Sequence, residues 1–179
     1  MVKELVCGSF AMPDADFEKR ANQQLGTEAK MEAALNKYAE FVNYLTERIP
    51  VWNDISKLAP DTLHTSQIPL KRQEGWICLT VTGLNVIGRI GHQLFTTPDL
   101  DGEWTKYADR LAQLDWSRSA EIWQGNIVQN GKIRTQNSPV KDAIEAVRQA
   151  IDLPKHQPAA ERSASSPIIE VVESENGAA

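Results

Sequence analysis

Trp76-Ile77-Cys78-Leu79-Thr80-Val81-Thr82-Gly83-Leu84-Asn85-Val86-Ile87-Gly88-Arg89-Ile90-Gly91-His92-Gln93-Leu94-Phe95 decides how this chain folds. Only Arg89 in the run carries a full charge, so the rest of the chain has to cover it. The first half, with Ile77, Val81 and threonine or cysteine neighbours, would suit a buried strand, and the second half a helix. Apolar or small residues recur at 77, 81, 84, 87, 88, 91, 94 and 95, which is helical spacing. The run is read as one long buried helix. Glycine costs about 1 kcal/mol in a helix relative to alanine. Gly83, Gly88 and Gly91 therefore imply close approach of another backbone. The run is long enough to span a membrane, but Asn85, Arg89, His92 and the glycines favour a soluble core helix.

The flanks supply covering elements. Upstream, Met31, Ala34, Leu35, Tyr38, Phe41, Val42, Leu45 and Ile49 repeat at three and four residues, with Glu32, Lys37, Glu40 and Glu47 on the other face. Thr27 is the expected cap of this amphipathic helix and Pro50 its stop. Val51–Leu63 predicts a helical turn or two ending at Pro60, and His64–Lys71 a loop. Thr97–Gly102 reads as a turn, and Trp104, Tyr107, Ala108, Leu111 and Leu114 define another short helix. Asn130-Gly131 between Gly125–Gln129 and Lys132–Thr135 predicts a β-hairpin, because both central residues tolerate positive φ. Ser138 as cap and Pro139 at the first position begin a last helix, with Val140, Ala143, Ile144, Val147 and Ile151 inward.

The expected fold is therefore mainly α: a helical domain around one buried central helix, with a small β-hairpin before the last helix. Residues 1–26 read as a flexible arm with a short helix near Asp16–Gln24, residues 27–154 as the domain, and residues 155–179 as a disordered tail. The tail contains an apolar island at Ile168–Val172.

Net charge is −5 over 179 residues, which argues against coating nucleic acid by bulk charge. From Trp104 to Lys155, however, eight Lys or Arg stand against six Asp or Glu. Cys7 and Cys78 are the only cysteines, and their separate settings indicate neither a disulfide framework nor a zinc site. With no secretory signal pattern at the N-terminus, the expected compartment is the cytoplasm.

Most candidate chemistry reduces to structure. His64, His92 and His156 lack partners at metal-ligand spacing, and no cofactor is implied. His92 beside Arg89 is read as a buried polar pair, and Gly88-Arg-Ile-Gly91 as helix packing rather than a phosphate loop. Ser117, Ser119 and Ser138 lack a nucleophile-elbow context. Asp115 and Glu121 suit capping or salt bridging to Arg118 better than acid–base work. Trp104, Trp116 and Trp123 suit a core better than base stacking. The remaining constellation is basic: Arg118, Lys132 and Arg134 on or beside the hairpin, and Lys141 and Arg148 two turns apart on the last helix. It is read as a candidate phosphate-positioning set, set against a merely solvated charged face.

Ile49-Pro-x-Trp52, Gly83, Gly88-Arg-x-x-His92, Leu114-Asp-Trp-Ser-Arg118, Trp123-x-Gly125 and Asn130-Gly-Lys-Ile133, in that order, resemble the C-terminal half of the DndB family of DNA sulfur-modification proteins. They are also similar to the broader DGQHR-domain family. The similarity spans roughly Ala33 to Leu153. It implies a bacterial phosphorothioate-modification system and a regulator that binds promoter DNA of the modification genes without catalysing sulfur transfer. The Asp-Gly-Gln-His-Arg motif that names the broader family is missing from this sequence, so nothing attached to that motif carries over. Expected partners are promoter DNA, other sulfur-modification proteins, a separate DGQHR-containing half, or a second copy of the chain. The competing expectation is a protein-interaction module that does not touch DNA.

Overall fold

A computed structural model describes residues 1–8, 13–59 and 68–155. The fold is mainly helical, with a two-stranded antiparallel hairpin before the last helix. In chain order the helices are α1 (Val2–Cys7), α2 (Asp14–Leu25), α3 (Glu28–Arg48), α4 (Pro50–Ser56), α5 (Ile68–Gln73), α6 (Val81–Thr96), α7 (Pro98–Asp101), α8 (Trp104–Ala112) and α9 (Asn137–Ala150). Single 3-10 turns lie at Ile77–Leu79 and Glu121–Trp123. Strands β1 (Val128–Gln129) and β2 (Lys132–Ile133) form the hairpin.

The central helix is α6, and it is shorter than the apolar run. Thr80 caps it, its hydroxyl accepting from Gly83 N at 3.1 Å. The run's first residues do something else. Trp76 forms a β-bridge to Ser117, with Ile77 N donating to the Trp116 carbonyl at 2.7 Å and Arg118 N to the Gly75 carbonyl at 2.8 Å. The strand-like and helix-like halves of the sequence are thus two elements joined at a threonine cap. Val86, Ile87, Ile90 and Leu94 of α6 are fully buried.

The glycines of α6 are contact points. A Cβ at Gly88 would lie 2.8 Å from Glu4 Cβ, and one at Gly91 would lie 2.6 Å from Leu5 Cδ2 and 2.8 Å from Phe41 Cε1. Helix α1 fits against this bare face. Residues 1–26 are therefore not simply a flexible arm: Leu5, Val6 and Cys7 belong to the core, and α2 is a twelve-residue helix. Six residues are too few for a stable isolated helix; α1 is held by what it packs against.

Helix α3 begins at its Thr27 cap, whose hydroxyl accepts from Lys30 N at 3.4 Å. Only its C-terminal half is buried. Phe41 meets Phe95 edge-on at 5.5 Å and Trp104 at 6.0 Å, and Tyr44 meets Trp104 at 5.0 Å. Tyr44 Oη donates to Asp109 Oδ1 at 2.8 Å, tying α3 to α8. Met31 and Leu35, on the predicted apolar face, are 45% and 61% exposed. Pro50 ends α3 and also begins α4, since a proline at the first helical position forfeits no hydrogen bond.

Three further expectations are corrected. Ile68–Gln73 is helical, where His64–Lys71 was expected to loop. Pro98–Asp101 is a helical turn that buries Leu100. Helix α9 starts at Asn137 after Gln136, with no side-chain cap from Ser138. Pro139 is then its third residue, still within the first turn, where backbone N–H groups have no partner inside the helix. The expected tail, with Ile168–Val172 and His156, lies outside the described residues, as does His64.

Candidate nucleic-acid interface

The hairpin turns on Asn130 (φ 51°) and Gly131 (φ 70°), two positive-φ residues that match the twist of the flanking strands. Val128 pairs with Ile133 and Gln129 with Lys132. The ladder is two pairs long, so the hairpin depends on its attachments. Arg134 N donates to the Ile127 carbonyl at 2.7 Å, and Thr82 Oγ1, on the first turn of α6, donates to the Arg134 carbonyl at 3.3 Å. Ile127 and Val128 are buried beneath it.

The Asp115–Arg118 block docks this hairpin onto the core. Asp115 Oδ1 accepts from Ser117 N at 2.8 Å, closing a turn. That is a local capping role; the carboxylate makes no ion pair with Arg118. Trp116 and Trp123 are buried with ring centroids 5.0 Å apart. Each indole N–H has a partner, Leu111 O at 3.1 Å for Trp116 and Asp115 O at 2.8 Å for Trp123. Trp104 is also buried. All three tryptophans are core residues and present no ring for stacking on bases. Ser117 and Ser119 hydrogen-bond to each other at 3.0 Å.

Arg118 leaves this block and lies along Gly75, whose φ of 94° and missing side chain make room for the guanidinium. Its Nη1 donates to the carbonyl of Gly131 at 3.3 Å. Arg118 is thereby brought to the tip of the hairpin, beside exposed Lys132. One carboxylate, Glu74, lines the same shallow pocket. Its pKa is held below the ordinary value, first by the Trp76 indole N–H at 3.0 Å and then by Lys71 at 3.1 Å. Arg134 follows on β2's exit, its Nε buried without a hydrogen-bond partner.

The five predicted basic residues do not form one patch. Arg118, Lys132 and Arg134 share the hairpin. Lys141 instead faces a cavity lined by Arg20 and Arg89. Arg148 is committed elsewhere: Nε donates to Glu145 Oε2 at 2.8 Å, Nη2 to Glu145 Oε1, and Nη1 to the Leu153 carbonyl at 2.7 Å. Its side chain is only 11% exposed. It closes the C-terminal end of α9. The Arg148 bonds to Glu145, and then that from Gln149 Nε2 at 2.9 Å, hold Glu145 down to a pKa of about 2. The helical spacing that put Lys141 and Arg148 on one face was a poor guide, because Glu145 stands three residues before Arg148 and claims it.

Ion pairing separates these residues further. Arg48, Lys71, Lys106, Arg110 and Arg148 each have a carboxylate partner. Among the described residues Arg118, Lys132, Arg134 and Lys141 have none within ion-pair distance. No group of three or more potential metal ligands occurs among the described residues, and no described helix is long and apolar enough to cross a membrane.

A family model described as DndB, DNA-sulfur modification-associated, matches residues 15–154. The chain belongs to the DndB family. The matched region begins in α2, upstream of the motifs that carry the resemblance, and ends just beyond α9. It contains the hairpin, the Asp115–Arg118 block and α6, while α1 lies outside it. No curated protein and no solved structure is significantly similar to this DndB-family chain.

Proposed function

We propose that this DndB-family chain is a non-catalytic, DNA-associated regulatory component of a bacterial phosphorothioate-modification system. In this reading it contacts DNA phosphates through Arg118, Lys132 and Arg134. The observation that carries the reading is that, among the described residues, none of these three cations has a carboxylate partner, on a hairpin tied to α6 through Thr82. Arg48, Lys71, Lys106, Arg110 and Arg148 are paired with carboxylates inside the fold; Arg118, Lys132 and Arg134 are among the cations that are not, and these three lie together at the hairpin. Phosphate contacts of this kind fix position on the duplex and do not themselves read sequence. The cluster is small, so binding should be modest and steeply salt-dependent. Ser117 and Ser119 share one hydroxyl–hydroxyl hydrogen bond, and among the described residues neither hydroxyl is hydrogen-bonded to a base, which suits a structural block better than a nucleophile.

The test is fluorescence anisotropy with the chain's own upstream DNA at two salt concentrations, alone and with separately encoded sulfur-modification proteins. Binding that weakens as salt rises is expected. No salt-dependent binding under either condition sinks the proposal.

A second reading is a module that docks on a protein, such as a separate DGQHR-containing half, without touching DNA. The exposed Met31 and Leu35 on α3 favour it, because they continue a stripe that is buried further along the same helix. Neutralising Arg118, Lys132 and Arg134 together separates the two. Unimpaired regulation in cells would favour protein docking.

A further inference from the structure

About two turns along α6 from Thr82, three cations line one cavity that holds no counter-charge among the described residues. Arg20 of α2, Arg89 of α6 and Lys141 of α9 line a volume of ≈ 470 Å³, together with His92, Gln93 and Thr96. Among the described residues no carboxylate lines it. None of the three cations makes a hydrogen bond or ion pair among the described residues.

The cavity is built by the same packing that builds the core. Helix α1 ends at Gly8, whose φ is 63°. A Cβ there would lie 2.6 Å from Arg89 Nη1 and 2.7 Å from His92 Nε2, so the missing side chain lets both groups reach the cavity. The His92 ring is fixed by Nδ1–H donating to the Leu5 carbonyl at 2.9 Å. The Cys7 thiol also lines the space. Burial pushes its pKa up, against the opposing pull of Arg20, so it stays a neutral thiol. Glu4 is the carboxylate that Arg89 senses, but it is buried beside the Met1 nitrogen at 2.7 Å and does not line the cavity. Desolvation where it meets α1 lowers the Arg89 pKa, although the residue as a whole is exposed.

All three cations are exposed to solvent, and gathering three like charges around one cavity is unfavourable until an anion enters. Two guanidinium forks and an ammonium present planar and point donors together, a set that matches tetrahedral oxyanions. The volume lies within the range of roughly 300–1,000 Å³ common for small-ligand sites.

We propose that this cavity binds a phosphate-class oxyanion through Arg20, Arg89 and Lys141. The same chemistry is offered by a free phosphorylated small molecule and by a backbone phosphate of DNA. The site is separate from the hairpin and does not depend on the hairpin's reading.

The experiment is isothermal titration of the full chain with inorganic pyrophosphate at fixed ionic strength. Arg20 and Lys141 are exposed, so Arg20→Gln and Lys141→Gln should leave the fold intact, which circular dichroism checks. Saturable binding by wild type is expected, weakened about tenfold or more by each substitution, since a charged hydrogen bond is lost. Lys132→Gln should leave it unchanged. Absence of saturable binding, or equal binding by wild type, Arg20→Gln and Lys141→Gln, overturns the proposal. Competition by a short DNA duplex then assigns the source: displacement of pyrophosphate supports a DNA phosphate in the cavity, and persistence supports a small molecule. Pyrophosphate binding that survives neutralisation of Arg118, Lys132 and Arg134 supports the cavity even where DNA binding is lost.

Discussion

Replacing Arg148 by methionine keeps most of the apolar stem and removes the guanidinium. The structure assigns that guanidinium to the end of α9, where it holds both Glu145 oxygens and the Leu153 carbonyl. Hydrogen bonds to charged groups contribute about 1.5–3 kcal/mol each. Glu145 is 46% exposed, so solvent screening reduces the ion-pair part to about 0.5–1 kcal/mol. The bond to Leu153 is better shielded, and its loss leaves a partly buried carbonyl unpaired. Together the substitution should cost roughly 2–3 kcal/mol. With a urea dependence of about 2 kcal/mol per molar, the unfolding midpoint should fall by about 1–1.5 M. DNA affinity of the folded variant should not change.

The pH dependence has a definite sign. Glu145 ordinarily titrates near 4.5 and is held at about 2 in the folded chain. Its contribution is therefore complete above the unfolded value of 4.5 and is lost as pH falls through the folded value near 2. Glu145→Gln should flatten this acid limb of the stability curve. An Arg148→Met midpoint equal to wild type, together with weakened DNA binding, would refute the assignment and return Arg148 to the interface.

Gly91→Val should destabilise by about 2 kcal/mol or more, since its Cβ would press on Leu5 and Phe41, and thermal melts should fall by roughly 4–8 °C. A melt unchanged by that substitution would mean that α1 does not pack against α6. Gly131→Ala places a side chain at φ 70° and should cost about 1 kcal/mol, read from the urea midpoint.

Much of the fold was legible because it follows from periodicity and punctuation. Thr27 and Pro50 bound α3 as their chemistry requires, and Asn130-Gly131 makes the hairpin. The bare glycines of α6 forecast a close neighbour, but nothing in Val2–Cys7 announced that it was that neighbour. Its helix depends on tertiary contact, which local sequence does not encode. Met31 and Leu35 show the converse: an amphipathic pattern says which face wants cover, not whether the chain supplies it.

The candidate site was legible in its hairpin half. Arg118, Lys132 and Arg134 are close in sequence and are brought together by one turn and one side-chain bond. Arg148 was misleading, though Glu145 three residues earlier was a visible competitor. The Arg20–Arg89–Lys141 grouping was invisible, because it joins three helices distant in sequence. Arg89, the single charge in the central run, was its one sequence signal.

The most direct test of the account is the salt dependence of DNA affinity for wild type and for the Arg118→Gln, Lys132→Gln, Arg134→Gln triple variant. Each phosphate contact contributes about 0.9 to the slope of log affinity against log salt. The account predicts weaker binding by the variant and a slope shallower by up to about three. An unchanged slope and affinity would contradict it.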